Sequence, residues 1–565
     1  MKNRLFPGMT RRDFLSASGA MALGSMAPLS MALEAKPKSV LATSTKGMVT
    51  SPHELATNAG LDVLKSGGNA IEAAIAIAAC LNVTYPHFSG FGGDAFMIIS
   101  DRNGKVRTLS GIGQAPAILP QYSGNAIPVR GPQSMLTTAA NVDTLGKAFD
   151  ISRNELAGGK SWAELLKPAI GFARDGFPVS PSERFWMDFR EKEMNALPGV
   201  AQSFMINGKA PEIGQLFKQP QLADTLEMLA VRGYRDFYEG KLAERIAQGL
   251  KSAGSPLTAS DLAKTQARIE PPLRVNYRDG VLLANQPPTQ GITTLEIMGI
   301  LDRFDLKKIP EGSADYYHVV VEAVKRAFID RNQYVADPEF VNVPSAKLLS
   351  KAHLDQLAGK IQMQHALPWP HVFKNGDTVY IGATDAQGNS VSMLQTVYFD
   401  WGSGMMAGDT GILWHNRGAS FSLKADSLNV LQPGKRPFHT LNPGMYLKND
   451  KPHILYGTQG ADGQPQTLAT ILTRMIDYGM DPLTALSKPR FLLGKTFSDT
   501  RDSLKLEKDA GEKVFEELAR RGHEMSVIPA QSPLSGHPGA IVIDQKSGTF
   551  SGAHDPRSDG RALGV

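Results

Sequence analysis

The sequence predicts an α+β protein, a layered sandwich with helices on both outer faces. Three observations carry this. Helical periodicity dominates the chain up to about residue 376, strand patterns around tight turns set in from Asp377, and helical periodicity returns between the later strands. Strands interleaved with helices in this way bury their apolar faces as sheet layers covered by helices. With 565 residues, 42% hydrophobic and 20% charged, the chain can bury a large core, and length alone allows two to four domains. The texture from start to end reads as one intertwined domain.

The elements follow in order. Residues 53–65 and 69–83 read as helices separated by Gly67-Gly68, which interrupt the periodicity and supply turn geometry. The run Ser89-Gly90-Phe91-Gly92-Gly93-Asp94 leads into an apolar stretch, 95–100, with the character of a buried strand. Residues 162–174, 221–232 and 241–252 read as helices, and 313–334 as the clearest amphipathic helix, with Ser313 as its cap. Past Asp377, residues 378–385 and 390–399 read as two strands of a hairpin around Ala386-Gln387-Gly388-Asn389. Strand signals return at 454–456, 525–528 and 540–543, and 466–478 is helical.

Charge and cysteine content exclude several classes. The formal charge of +5 is concentrated at the N-terminus, where Lys2, Arg4, Arg11 and Arg12 face only Asp13, so the body is close to neutral and is not built to hold nucleic acid. The single cysteine, Cys80, has no partner in the chain and reads as a small packed residue. Thr10-Arg11-Arg12-Asp13-Phe14-Leu15, followed by an Ala, Met, Ser and Gly-rich run to about Ala32, resembles a twin-arginine export signal with a cleavage site near Ser30 and Ala32. No later stretch reaches the ~18 apolar residues that a spanning helix needs. The expectation is a signal over residues 1–32, passage through the twin-arginine machinery, and a mature protein in the periplasm or outside the cell.

Local motifs give no cofactor. His53-Glu54-Leu55-Ala56-Thr57 lacks the second histidine of a zinc helix, Gly90 to Gly93 matches neither phosphate-loop nor dinucleotide spacing, and no Gly-x-Ser-x-Gly elbow is present. A close backbone approach or a turn is the default reading of that glycine run. Thr378 itself is unremarkable by local pattern.

The order of a set of short blocks changes its weight. Gly376-Asp377-Thr378-Val379-Tyr380, Asp385 to Ser392, Phe399-Asp400-Trp401-Gly402-Ser403-Gly404, Thr410-Gly411-Ile412-Leu413, Lys435-Arg436-Pro437, Gly457-Thr458-Gln459-Gly460-Ala461-Asp462 and Ala553 to Gly560 resemble, in sequence, the gamma-glutamyltranspeptidase (glutathione hydrolase) family. Upstream, Gly47-Met48-Val49, Gly67 to Ala70, Ser89 to Gly93 and Ala173 to Phe177 fit as well. The resemblance spans nearly the whole mature chain. It implies the four-layer αββα sandwich of the N-terminal nucleophile hydrolases, cut between Asp377 and Thr378 into a large subunit, 36–377, and a small subunit, 378–565, which stay together as a heterodimer. It implies no metal and no organic cofactor.

It also implies a mechanism. The Thr378 hydroxyl attacks the Asp377 carbonyl, the acyl group moves from nitrogen to oxygen, and water opens the ester. The freed amine, with a reference pKa of about 7.7–8.0, then serves as the base for its own hydroxyl. Thr396 matches the family's second threonine, which orients the nucleophile, although a threonine on a strand face is an equally ordinary reading. Gly460 and Ala461 match the loop whose amides form the oxyanion hole, with Ala461 in place of a glycine.

The recognition residues depart from the family. Ile112 stands where an arginine pairs with the substrate carboxylate, and Tyr398 replaces an asparagine. Arg417 and Ser420 replace a glutamine and an aspartate that hold an ammonium, and His439-Thr440 replace two serines. A lost acid and a gained guanidinium favour a carboxylate over an ammonium, unless Arg417 is spent in a structural ion pair. The departures point to the branch of oxamate amidohydrolase and the acylases. Three readings remain open: transfer or hydrolysis of a gamma-glutamyl or similar carboxylate-bearing acyl group through a Thr378 acyl-enzyme, an oxamate-type or dicarboxylic-acyl amidohydrolase without gamma-glutamyl activity, and an exported binding protein that keeps the scaffold without cutting itself. In the first two the partner is a small-molecule amide.

Overall fold

The computed structural model describes residues 39–369, 376–495 and 499–565. The expected export signal, residues 1–32, lies outside the described residues.

Two seven-stranded sheets stack face to face. The strands in chain order are β1 (Ala42–Ser44), β2 (Gly47–Ser51), β3 (Asp94–Ser100), β4 (Val106–Gly111), β5 (Arg268–Glu270), β6 (Leu273–Tyr277), β7 (Gly280–Ala284), β8 (Asp377–Asp385), β9 (Ser390–Tyr398), β10 (Gly444–Lys448), β11 (Lys451–Thr458), β12 (Pro538–Asp544), β13 (Thr549–His554) and β14 (Arg561–Gly564). The first sheet runs β14-β2-β8-β9-β3-β4-β5 and the second β1-β13-β12-β11-β10-β7-β6. All pairings in them are antiparallel. Each sheet therefore draws strands from both sides of the Asp377-Thr378 bond.

Met48, Ile98, Leu283, Met445, Leu455 and Ile541 interdigitate between the sheets. Helices α1 (Glu54–Lys65) and α2 (Ala70–Thr84) cover the outer face of the first sheet. Helices α3 (Gly291–Leu301), α4 (Ala314–Tyr334) and α5 (Gly463–Ile476) cover the second. The result is the expected four-layer αββα sandwich.

Local chemistry explains the elements that place the site. Asn69 and Glu72 form a reciprocal capping box at the start of α2, whose fifteen residues are all buried. Cys80 lies there, its thiol pushed up by burial. The hairpin between β8 and β9 turns on Gly388, at φ +93°, while Asp385 accepts from the amides of Gln387 and Asn389, each at 3.0 Å. The other Asp385 oxygen accepts from Ala70 N at 2.9 Å, pinning the turn to the positive end of α2.

One expectation needs correction. Helix α4 begins at the Ser313 cap, but it is not amphipathic toward solvent. Tyr316 through Phe328 are all buried, and the charges on it are paired inside: Glu322 accepts from Lys325 at 3.0 Å and Arg326 at 2.7 Å. The segment Met525–Ile528 is a strand, as expected, and it lies in a separate three-stranded sheet with Phe491–Gly494 and Ser503–Glu507. Among the described residues, no helix is long and apolar enough to cross a membrane.

Candidate active site

Thr378 stands at the beginning of β8, in the middle of the first sheet. Asp377 pairs with Tyr398, and then the register slips so that Val379 pairs with Gln395. Thr378 is left opposite Thr396 and Val397 at this irregularity, a geometry that re-aims a side chain out of a regular ladder. Its hydroxyl accepts from Gln464 Nε2 at 3.0 Å, on the first turn of α5, and the residue is fully buried.

Around it, the Thr396 hydroxyl donates to the carbonyl oxygen of Asp377 and accepts from Tyr398 N at 2.7 Å. Thr396 thus contacts the carbonyl of the Asp377-Thr378 peptide bond, whereas the sequence expectation put it on the Thr378 hydroxyl. The Asp377 carboxyl accepts from Thr378 N at 2.9 Å and from Gln459 Nε2. Burial, with Asp400 nearby, holds it well above the usual carboxylate range.

The glycine run before β3 serves this arrangement by closeness. A Cβ on Gly93 would overlap the carbonyl oxygen of Thr396, and one on Gly92 that of Leu413. The run is a close backbone approach, as its lack of any phosphate-loop pattern implied.

Gly460 and Ala461 form a turn between β11 and α5. Their carbonyls accept from Gly463 N at 2.7 Å and Gln464 N at 3.0 Å. Their own N–H groups find no acceptor among the described residues. Ala461 sits at φ +49°, a left-handed conformation in which glycine would be unstrained.

Gln290, immediately before α3, holds the turn from the other side of the molecule. Its Nε2 donates to the carbonyls of Ala461 at 2.7 Å and Thr440 at 2.8 Å, and its Oε1 accepts from Arg331 at 3.0 Å. Arg331 is buried and forks onto Asp462 at 2.8 and 3.1 Å. Sequence reasoning missed Gln290, Arg331 and Gln464. Removing Gln290 leaves the buried Thr440 carbonyl without a donor and the Ala461 carbonyl with only Gln464 N, so Gln290→Ala should lower kcat by roughly 5- to 150-fold, the equivalent of about 1–3 kcal/mol. KM should change less. Steady-state kinetics on the processed protein check this split.

The recognition residues gather beside Thr378. Gly376 runs between Thr440 and Tyr398: a Cβ there would lie 3.0 Å from Thr440 Oγ1 and 3.2 Å from the Tyr398 ring. Tyr398 itself has φ +85°, strained for a bulky residue. The Arg417 guanidinium lies 3.8 Å from the centroid of the Tyr398 ring. Arg417 is fully buried, and among the described residues none of its three nitrogens has a hydrogen-bond partner. Burial lowers it to about 10, which leaves it charged at neutral pH. The structural ion pair that could have explained it is absent among the described residues.

His439 Nδ1 accepts from Leu441 N at 3.3 Å, so the proton is on Nε2, which donates to Asp94 Oδ2 at 3.2 Å. Burial and Arg417 lower His439 to about 3, so the ring is neutral. The Thr440 hydroxyl is buried and has no partner among the described residues. Ser420 donates to the carbonyl of Phe438 at 3.2 Å, tying its own loop. Asp94, another residue that sequence reasoning passed over, also accepts from Gly113 N at 2.9 Å and Ala140 N at 3.3 Å and lies 3.5 Å from His415 Nδ1. Burial alone would raise it, but His415, His439 and Arg417 outweigh that and hold it low. Ile112 packs with Phe96, Tyr380, Leu394 and Leu441, and lines a cavity of about 590 Å³ with Gln114, Lys264 and Arg436.

A buried threonine opening a central strand of an αββα sandwich, faced by a turn with free amides, defines an N-terminal nucleophile hydrolase, an enzyme of amide bonds. The comparisons narrow the class. A family model described as gamma-glutamyltranspeptidase matches residues 56–565. The oxamate amidohydrolase proenzyme of Klebsiella pneumoniae subsp. pneumoniae is 43% identical over 524 residues, covering 92% of this chain and 99% of that one. The glutathione hydrolase proenzyme of Escherichia coli is 30% identical over 539 residues, covering 91% and 90%. The crystal structure of cephalosporin acylase from Bacillus halodurans superposes with a TM-score of 0.84 at 31% identity, over 94% and 97% of the two chains. The chain belongs to the gamma-glutamyltranspeptidase family. Identity is higher to the oxamate amidohydrolase than to the glutathione hydrolase, in line with the branch that the sequence suggested.

Proposed function

We propose that the chain cuts itself between Asp377 and Thr378, and that Thr378 then hydrolyses small amides whose acyl part carries a carboxylate and no α-amino group. Oxamate and the monoamides of short dicarboxylic acids make up this class. The observation that carries the reading is Arg417: a fully buried, charged guanidinium with three partnerless nitrogens is an anion receptor awaiting its ligand. Among the described residues the acid beside it is Asp94, which is taken up by two backbone amides and His439 and is not free to hold an ammonium.

The uncut chain marks the acyl site. The substrate carbonyl takes the place of the Asp377 carbonyl, and the acyl chain beyond it follows Gly376 toward the Thr440 hydroxyl and the Tyr398 ring, with Arg417 stacked on the ring's face. In the first stage the Thr396 hydroxyl polarises the Asp377 carbonyl while the Thr378 hydroxyl attacks it. In the second, the freed Thr378 amine takes the hydroxyl proton and passes it to the leaving amine. The amides of Gly460 and Ala461 stabilise the oxyanion, a contribution of roughly 3–4 kcal/mol per donor in comparable sites. Water then opens the ester.

The test compares kcat/KM on oxamate, glutaric monoamide and a gamma-glutamyl amide. The first two should exceed the third by on the order of 10-fold or more, since a buried ammonium would go unpaired. A gamma-glutamyl donor that beats its des-amino analogue overturns the assignment.

Export belongs to the same proposal and rests on Arg11 and Arg12. Replacing both by Lys should hold the protein in the cytoplasm in cell fractionation, and unchanged export would refute it.

A further inference from the structure

Away from the cleft, three helices of the second outer layer bring a second set of chemically active side chains together. Glu296 of α3, Asp330 of α4 and His353 of the helix Lys351–Gly359 each offer one donor atom, all within 4.8 Å of one another. His353 Nε2 stands 2.6 Å from Asp330 Oδ2 and 3.4 Å from Glu296 Oε1. The Glu296 side chain is 1% exposed, and its Oε1, directed at the imidazole, has no hydrogen-bond partner. Among the described residues no lysine or arginine pairs with either carboxylate. Burial, with the Asp330 carboxylate beside it, pushes Glu296 well above its usual range. Two neighbouring carboxylates in a low-dielectric setting demand a cation or a shared proton between them.

We propose that Glu296, Asp330 and His353 bind one divalent transition-metal cation of the zinc or manganese type. Two oxygens and one imidazole nitrogen suit these ions, whereas magnesium and calcium favour all-oxygen shells. Bonds of about 2.0–2.2 Å place ligand atoms roughly 3–3.5 Å apart, so the His353–Glu296 separation already fits and the His353–Asp330 contact opens by about half an ångström. His353, partly exposed on the first turn of its helix, gives the ion its way in.

The site's role is positional. Asp330 adjoins Arg331, and α3 starts at the residue after Gln290, so a cation here clamps together the helices that carry the strut under the Gly460-Ala461 turn.

The test uses the full-length processed protein, stripped with a chelator and titrated calorimetrically with Zn²⁺ and with Mn²⁺ alone. One ion per chain should bind, and the melting temperature should rise with it. Glu296→Gln and His353→Asn should each weaken binding on the order of 10- to 100-fold or more. The metal-free melting temperature of Glu296→Gln should be no lower than that of the parent, because a carboxylate repulsion is removed. His353→Asn keeps the test decisive if Glu296→Gln fails to fold. Absence of binding by either ion, or equal binding by parent and both variants, overturns the proposal. So does a pH-dependent melting temperature that Glu296→Gln abolishes without any metal response, which would show a shared proton in place of the ion.

Discussion

Thr378→Ala is expected to yield a single uncut chain with amide hydrolysis reduced by at least ~10⁴-fold, the scale seen when a nucleophile is removed from a site whose other parts remain. Both effects have one cause. In the proposed mechanism the hydroxyl that attacks the Asp377 carbonyl is the hydroxyl that later attacks substrate, and the base it uses is released only by the cut. A denaturing gel and intact-mass measurement read the first effect, and an amide assay the second. Thr378→Ser, which keeps a hydroxyl, should still divide into two fragments. Two fragments from Thr378→Ala would remove Thr378 from the mechanism.

Arg417→Met should separate recognition from self-cleavage. Truncating one partner of a buried charge contact costs about 2–5 kcal/mol, so kcat/KM on oxamate-type amides should drop by roughly 30- to 5,000-fold. Division at Asp377-Thr378 should continue, because Arg417 does not touch the scissile bond. The variant without substrate should also melt higher, since an uncompensated buried charge has been exchanged for an apolar side chain. Arg417→Lys should recover only part of the activity, keeping the charge while losing the planar fork. A methionine variant with undiminished activity on these amides would discard the carboxylate reading.

The features legible in the sequence are those that short stretches determine. The helix beginning near Asn69, the cap at Ser313, the Gly388 turn and the strands on either side of it depend on residues within a few positions, and the observed bounds differ from the expected ones by a residue or two. Thr378 was legible only through the order of many short blocks, because a threonine opening a strand carries no local signal. Asp94, Gln290 and Arg331 were passed over for the opposite reason. Their partners lie 345, 171 and 131 positions away, and no spacing rule reaches that far. Asp94 had one usable hint, since it ends the glycine run that brings the backbone against Thr396. The amphipathic reading of α4 erred because its charged residues find ion partners inside the protein, so the pattern of charge did not mark a solvent face.

Both central sheets interleave strands from the two sides of Asp377-Thr378, so the proposed cut there would set how the mature enzyme fails. Before the cut, refolding is a unimolecular search. Afterwards the same contacts must be remade by two separate chains, at the mercy of their concentration and of competing aggregation. The precursor should regain its structure after denaturation far more readily than the processed enzyme, whose durability is then a matter of how slowly it first opens.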